Sequence, residues 1–225
     1  MRKYYKYRLD LITLNIVATI LLIIAIIPCL DSVVNYLMNG SLKLYVILML
    51  AYLLWIILHE ILHGIGHLLC GSKFSDLSFG ADLVKGILFC LIRKEISKKQ
   101  ILISLLFPFF FIGIITYIIG IIINSPLLII LSAANISGAA GDLIMFFDFI
   151  KLDNDITYIE PSSGTTFYLM SNNLKNKKLF GLKFEEEGEY NSSMFNNSTK
   201  KIDITKSSYI IFSLIIIISI LILFL

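Results

Sequence analysis

Apolar residues fill this chain in long blocks almost free of charge, separated by short polar segments. Five such blocks stand out, at 9–30, 42–70, 101–123, 127–150 and 208–225. Each has about the 18 or more residues that a helix needs to cross the hydrocarbon of a bilayer. Two other stretches fail that test. Residues 79–92 are apolar but short, and Asp82 and Lys85 interrupt them, which suits an interfacial or re-entrant element, such as a hairpin, better than a crossing. Residues 151–207 are rich in Asn, Ser and Lys, with acidic residues at Glu185, Glu186, Glu187 and Glu189. They form either a small β-rich module, with a strand-like run at 165–170, or a partly disordered tail.

The pattern predicts an all-α polytopic membrane protein of about five transmembrane helices. A membrane-embedded core would occupy 1–150, a cytoplasmic tail or small β-rich module 151–207, and a C-terminal transmembrane helix 208–225. Composition agrees: 57% of the 225 residues are apolar and only 16% charged. A soluble fold of this size has no core large enough to hide so much apolar helix. The three cysteines, Cys29, Cys70 and Cys90, are scattered in or beside apolar segments and read as buried free thiols rather than a disulfide framework. Basic residues Arg2, Lys3, Lys6 and Arg8 before the first block imitate a signal peptide. The block is too long for one, however, and no small-residue cleavage site follows, so it reads as a retained span.

Lysine and arginine alternate between loops. The N-terminal segment carries four, the loop at 31–43 one, the loop at 71–100 six, the turn near 124–126 none, and the tail at 151–207 eight. The positive-inside rule then puts the N-terminus, second loop and tail in the cytoplasm, and the Ile-, Asn- and Lys-rich composition suggests a bacterial cytoplasmic membrane. Nothing in this distribution points to nucleic acid. The partners expected are the bilayer and a membrane protein or peptide substrate, and the oligomeric state is left open.

All three histidines fall within His59-Glu60-Ile61-Leu62-His63-Gly64-Ile65-Gly66-His67. The first five residues read HExxH. On a helix His59 and His63 share a face, their Cβ atoms about 5–6 Å apart, so both imidazoles reach one metal ion. Glu60 lies about 100° around the helix, beside the ion without having to bind it, where it can take a proton from water. Ordinary polar residues at a helix end are the plain alternative. Inside a span that reading weakens, because a glutamate and two histidines would be desolvated with nothing to compensate them.

A zinc site needs a third protein ligand. The extended pattern HExxHxxGxxH keeps Gly66 but has Leu69 at its last position. His67 is nearly in line with His59 and His63, and three ligands along one helix surround an ion poorly. Asp142 is the better candidate: it is the only carboxylate in the body of the fourth block, and it lies about 12 Å from the cytoplasmic end, against about 10 Å for His63. Small residues at Ala133, Ala134 and 137–141 would let that helix approach closely. Asp148, nearer the interface, is a weaker candidate. Asn135 could donate a hydrogen bond to a substrate carbonyl or oxyanion, or simply bond another helix.

Together HEILHGIGH, the basic loop ending Ile96-Ser97-Lys98-Lys99-Gln100 before Phe107-Pro108, and Ser137-Gly138-Ala139-Ala140-Gly141-Asp142-Leu143 resemble the DUF3267 family of zincin-type peptidases. That family is in turn similar to the site-2 proteases, which are intramembrane metalloproteases. The resemblance covers about residues 42–170. It implies a Zn²⁺ cofactor held by His59, His63 and Asp142, with Glu60 as the catalytic base. Asn135-Ile136 and Asp142-Leu143 stand where typical site-2 proteases have Asn-Pro and Asp-Gly.

The expected function is therefore a membrane-embedded zinc metalloendopeptidase acting on membrane proteins or peptides near the cytoplasmic face. Two alternatives are a non-catalytic zinc-binding membrane protein, in an immunity or scaffold role, and a metal transporter. Transport would need polar groups along several spans, and the first, third and fifth blocks have almost none.

Overall fold

The structure is a computed structural model that describes residues 3–189, apart from 83–86, 93, 163–165, 172–178 and 181. The expected last span, 208–225, lies outside the described residues. Among these, three helical rods are long and apolar enough to cross a membrane, or four if a bent pair counts as one span.

The first rod joins α1 (Leu11–Ile26) to α2 (Leu30–Met38) through a tight turn containing Pro28. Asp10 caps it, its carboxylate accepting the Thr13 N–H at 3.0 Å and the Thr13 hydroxyl at 2.7 Å. The helix α3 (Leu42–Leu69) starts at a Ser41 cap and ends where Gly71 turns left-handed, at φ +87°. There Gly71 N–H donates to the Leu68 carbonyl and Ser72 N–H to the His67 carbonyl, closing the helix as a glycine at this position permits. Its 28 residues make a rod of about 42 Å, longer than the roughly 30 Å of hydrocarbon.

Next come β2 (Leu77–Asp82) and β3 (Ile87–Ile92), an antiparallel pair with Phe79 opposite Cys90. The short apolar stretch expected at 79–92 is thus a hairpin. It lies against α3 where Gly64 has no side chain: a Cβ there would stand 2.8 Å from the Phe79 ring.

The third rod consists of α4 (Lys98–Pro108), a π-helical stretch (Phe109–Ile115) and α5 (Thr116–Ile122). It opens with a capping box. Ser97 N–H donates to the Gln100 side chain at 2.9 Å, and Gln100 N–H to the Ser97 hydroxyl at 3.4 Å. The wide turns after Pro108 leave carbonyls to side chains. Trp55 donates to Ile112 at 3.3 Å, Thr116 to the same carbonyl at 2.6 Å, and Asn135 to Pro108 at 3.1 Å. Such bulges recur at functional sites, and the last of these bonds reaches one.

The fourth block is not one straight span. It divides into α6 (Pro126–Gly138) and α7 (Ala140–Lys151), bent by 44° at Ala139. The small residues at 137–141 that favour close packing also weaken the helix there, glycine by about 1 kcal/mol relative to alanine.

The all-α expectation needs correction, because a five-stranded antiparallel sheet caps one end of the helices. Its strands are β4 (Ile96–Ser97), β5 (Thr157–Ser162), β6 (Thr166–Ser171) and β7 (Leu182–Glu189), with the N-terminal β1 (Lys3–Leu9) between β6 and β7. From Tyr5 onward tyrosines alternate with basic residues, after a register irregularity between Tyr4 and Tyr5, so that Tyr5 and Tyr7 point into the core while Lys3 and Lys6 pair with Glu186 and Glu187 at 2.6 and 3.5 Å. Tyr7 is fully buried against Phe149 of α7, ring centroids 5.3 Å apart. Burial, aided by nearby Asp148, pushes its phenol well above the usual range, so it stays neutral at any physiological pH. Asp148 is also fully buried, and its carboxylate accepts the Phe180 N–H at 2.7 Å. The sheet thereby grips the far end of the helix that carries Asp142.

Candidate metal centre

Two rods and the bend meet at one point. His59 and His63, one turn apart on α3, present their rings edge to face with centroids 4.9 Å apart. Their Nε2 atoms are 3.1 Å apart. Asp142, in the first turn of α7, places Oδ2 3.2 Å from His59 Nε2 and 3.5 Å from His63 Nε2. All three side chains are mostly buried, 12–17% exposed. One metal-capable atom each from His59, Glu60 and His63 lies within 4.8 Å of the others.

The opposite ring nitrogens decide what those Nε2 atoms are. His63 Nδ1 lies 3.0 Å from the Ser104 carbonyl, which can only accept, so Nδ1 carries the proton. His59 Nδ1 lies 2.8 Å from Asn135 Oδ1. The Asn135 amide is oriented by its own donation to the Pro108 carbonyl, so again Nδ1–H is the donor. With Nδ1 turned to these acceptors, each ring directs its Nε2 inward, where it can offer a lone pair to a metal ion. Two lone pairs and a carboxylate converge with edges of 3.1, 3.2 and 3.5 Å. A proton on one Nε2 would satisfy one of these edges, whereas a cation satisfies all three. Tetrahedral coordination at about 2.0–2.1 Å gives ligand-to-ligand edges of about 3.3–3.4 Å, so the triangle matches one face of such a tetrahedron. The donor set, two imidazoles and a carboxylate, suits zinc.

Around this triangle the chain supplies further support. Ser104 is buried and pairs reciprocally with His63: its carbonyl receives Nδ1–H, and its hydroxyl donates to the His63 carbonyl at 3.0 Å. Gly66 permits that approach, since a Cβ there would meet the Ser104 Cα at 2.8 Å. Glu60 accepts a hydrogen bond from the backbone N–H of Cys90 on β3, which ties the hairpin to the motif. Asn135, 6% exposed, sits behind His59 with both ends of its amide engaged. His67 is buried too, but its Nδ1 has no hydrogen-bond partner among the described residues; neither it nor Asp142 belongs to the group of His59, Glu60 and His63 whose metal-capable atoms all lie within 4.8 Å of one another, and Asp142 is set apart by its contacts of 3.2 and 3.5 Å with the two Nε2 atoms. Asp148 is engaged elsewhere, with the Phe180 N–H just before β7 and with Lys151 of its own helix.

HExxH on one helix, with an aspartate delivered by a later one, is the arrangement that places the chain. Residues 52–157 belong to the DUF3267 family. The family carries the description "Putative zincin peptidase", and the matched region runs from the middle of α3 to the first residue of β5. It contains His59, Glu60, His63, Ser104, Asn135 and Asp142. No curated protein and no solved structure matches the chain. Zincin membership and the His-Glu-His group together indicate a metal ion, with zinc the natural choice.

The Ser104 carbonyl, the Pro108 carbonyl and the Cys90 N–H were not legible in the sequence. Backbone groups carry no residue signature, and only the close packing of α3, α4 and β3 brings them to the site. Asn135 gives a direct check of this support. Asn135→Ala is expected to weaken metal affinity by about 10–100-fold, as loss of a histidine's partner does in other metal sites. Competition with a chelating dye measures it. Unchanged affinity with a fall confined to turnover would instead assign Asn135 to the substrate.

Proposed function

We propose that this chain is a membrane-embedded zinc metallopeptidase, similar in plan to the site-2 proteases, that hydrolyses peptide bonds of membrane proteins or peptides near the cytoplasmic face. The observation that carries the reading is the convergence of His59 Nε2, His63 Nε2 and Asp142 Oδ2 on one point, with the glutamate of the motif alongside. His59, His63 and Asp142 would hold the ion. Zinc, when bound, supplies Lewis acidity and lowers the pKa of water toward about 7.

The chain's own groups do the rest. Glu60 takes the proton of the attacking water and passes it to the leaving amine, and the Cys90 N–H keeps its carboxylate in place between those events. Ser104 and Asn135 hold the imidazole rings so that neither has to reorganise during turnover. The β2–β3 hairpin offers extended backbone beside Glu60, along which a substrate segment could lie as an added strand. Lysine and arginine counts support a cytoplasmic opening. The pairing of the N-terminal β1 with β6 and β7 requires those three strands to share one side of the membrane, as the same counts have it.

The test uses the purified full chain in detergent or nanodiscs with a fluorogenic membrane peptide. Cleavage should stop when a chelator strips the metal and return on addition of about one equivalent of zinc. Cleavage that survives complete removal of metal would end this reading.

A further inference from the structure

The C-terminal end of α3 holds two polar side chains that the metal centre does not use. There Gly71 N–H donates to the Leu68 carbonyl at 3.0 Å and Ser72 N–H to the His67 carbonyl at 3.1 Å, with Gly71 left-handed between them and the helix. This is the Schellman pattern. It brings together the side chains of the third residue from the helix end and the second residue beyond its cap, usually as an apolar contact. Here that pair is His67 and Ser72. They are only 3% and 8% exposed, yet neither His67 Nδ1 nor Ser72 Oγ has a hydrogen-bond partner among the described residues, and they do not bond each other.

A buried polar atom left unpaired costs free energy that folded chains avoid. Two such atoms at one turn point to a small partner that both share. One imidazole and one hydroxyl are too few to hold a metal ion. Water both donates and accepts, which suits a hydroxyl and a ring nitrogen in either tautomer, and buried waters commonly serve such groups. The turn is open to solvent beside Ser72, because Gly71 is exposed and a Cβ there would meet nothing within 4 Å. Inward, His63 is one helical turn away from His67, about 6 Å, on nearly the same face of α3. The pair therefore stands between solvent and the centre.

We propose that His67 and Ser72 hold a water molecule at the end of α3, and that this water is a station on the route by which water for hydrolysis reaches the metal centre. The water site stands on the two buried atoms alone. The route rests on the proposed peptidase function.

Radiolytic hydroxyl labelling of the purified full chain in detergent tests the water site. Radicals made from a bound water oxidise the side chain beside it, however deeply that side chain is buried. His67 should therefore gain oxygen. A His67 left unmodified at a dose that oxidises Met38, 80% exposed, would overturn the proposal. The sign of a stability change gives a second reading. Loss of a hydroxyl that had no partner would raise the melting temperature, whereas Ser72→Ala should lower it by about 2–4 °C because a water loses a partner. A raised or unchanged melting temperature counts against the site. Neither measurement needs activity, and both can be made in Glu60→Gln, so the water site is judged apart from the peptidase reading. Ser72→Val and Ser72→Thr test the route. Valine fills the space without a polar group, so most of kcat should be lost with zinc content unchanged, and threonine, which keeps the hydroxyl, should restore it. A Ser72→Val chain that loses the label at His67 but turns over like wild type would overturn the route.

Discussion

Glu60→Gln is expected to keep its metal and lose its peptidase activity. The three atoms that converge on one point belong to His59, His63 and Asp142, so ligation does not require Glu60, and glutamine preserves size and the contact with Cys90 N–H. What glutamine lacks is a group that accepts a proton and gives it back. Positioned acid–base groups contribute about 10²–10⁴-fold, so cleavage should fall by at least about 100-fold with metal content unchanged. A mutant that cleaves like wild type would remove Glu60 from the mechanism. A wild type that binds zinc but cleaves nothing across a range of membrane peptides would favour a zinc-binding relative without turnover, and the intact glutamate would then need another explanation.

Asp142→Ala is expected to act one step earlier. It deletes the carboxylate that α7 brings to 3.2 and 3.5 Å of the two Nε2 atoms, which the proposed function makes the third ligand, and leaves two imidazoles that share a single helical turn. Removing a histidine's hydrogen-bond partner already costs about 10–100-fold in affinity, so loss of a ligand should exceed about 100-fold, and the chain should purify largely without zinc. Asp142→Asn separates charge from geometry, since the amide keeps the shape but not the negative charge. It should fall between alanine and wild type. Full occupancy in Asp142→Ala would move the third ligand elsewhere, with His67 the first residue to examine by a His67→Ala change. Activity should follow occupancy in every one of these variants.

Much of this was written in the order of residues. Charge-free blocks revealed the rods because hydrocarbon tolerates little else, and HExxH revealed two neighbouring imidazoles because helical geometry maps four residues onto one turn. The pairing of Asp142 with the motif rested on matched depth, and the structure brings those atoms to 3.2 and 3.5 Å. The sheet was harder to read. Tyr5-Lys6-Tyr7-Arg8 alternates as a strand does, but the basic residues around it read equally well as the flank of a span. Only pairing with residues far along the chain, such as Lys3 with Glu186, resolves the two. The bend at Ala139 was hidden for a related reason: small residues serve close packing and helix breaking alike. The second layer of the centre left no trace, because carbonyl and amide groups of Ser104, Pro108 and Cys90 belong to the backbone.

X-ray absorption at the zinc edge, on full-length protein purified without added chelator, reads the ligand set directly. The account predicts about one zinc per chain with only nitrogen and oxygen neighbours at about 2.0–2.2 Å and the outer-shell signature of two imidazoles. That signature should persist in Glu60→Gln and be lost with the metal in Asp142→Ala. A sulfur shell near 2.3 Å, from Cys70 or Cys90, or a spectrum without paired imidazoles, would contradict it.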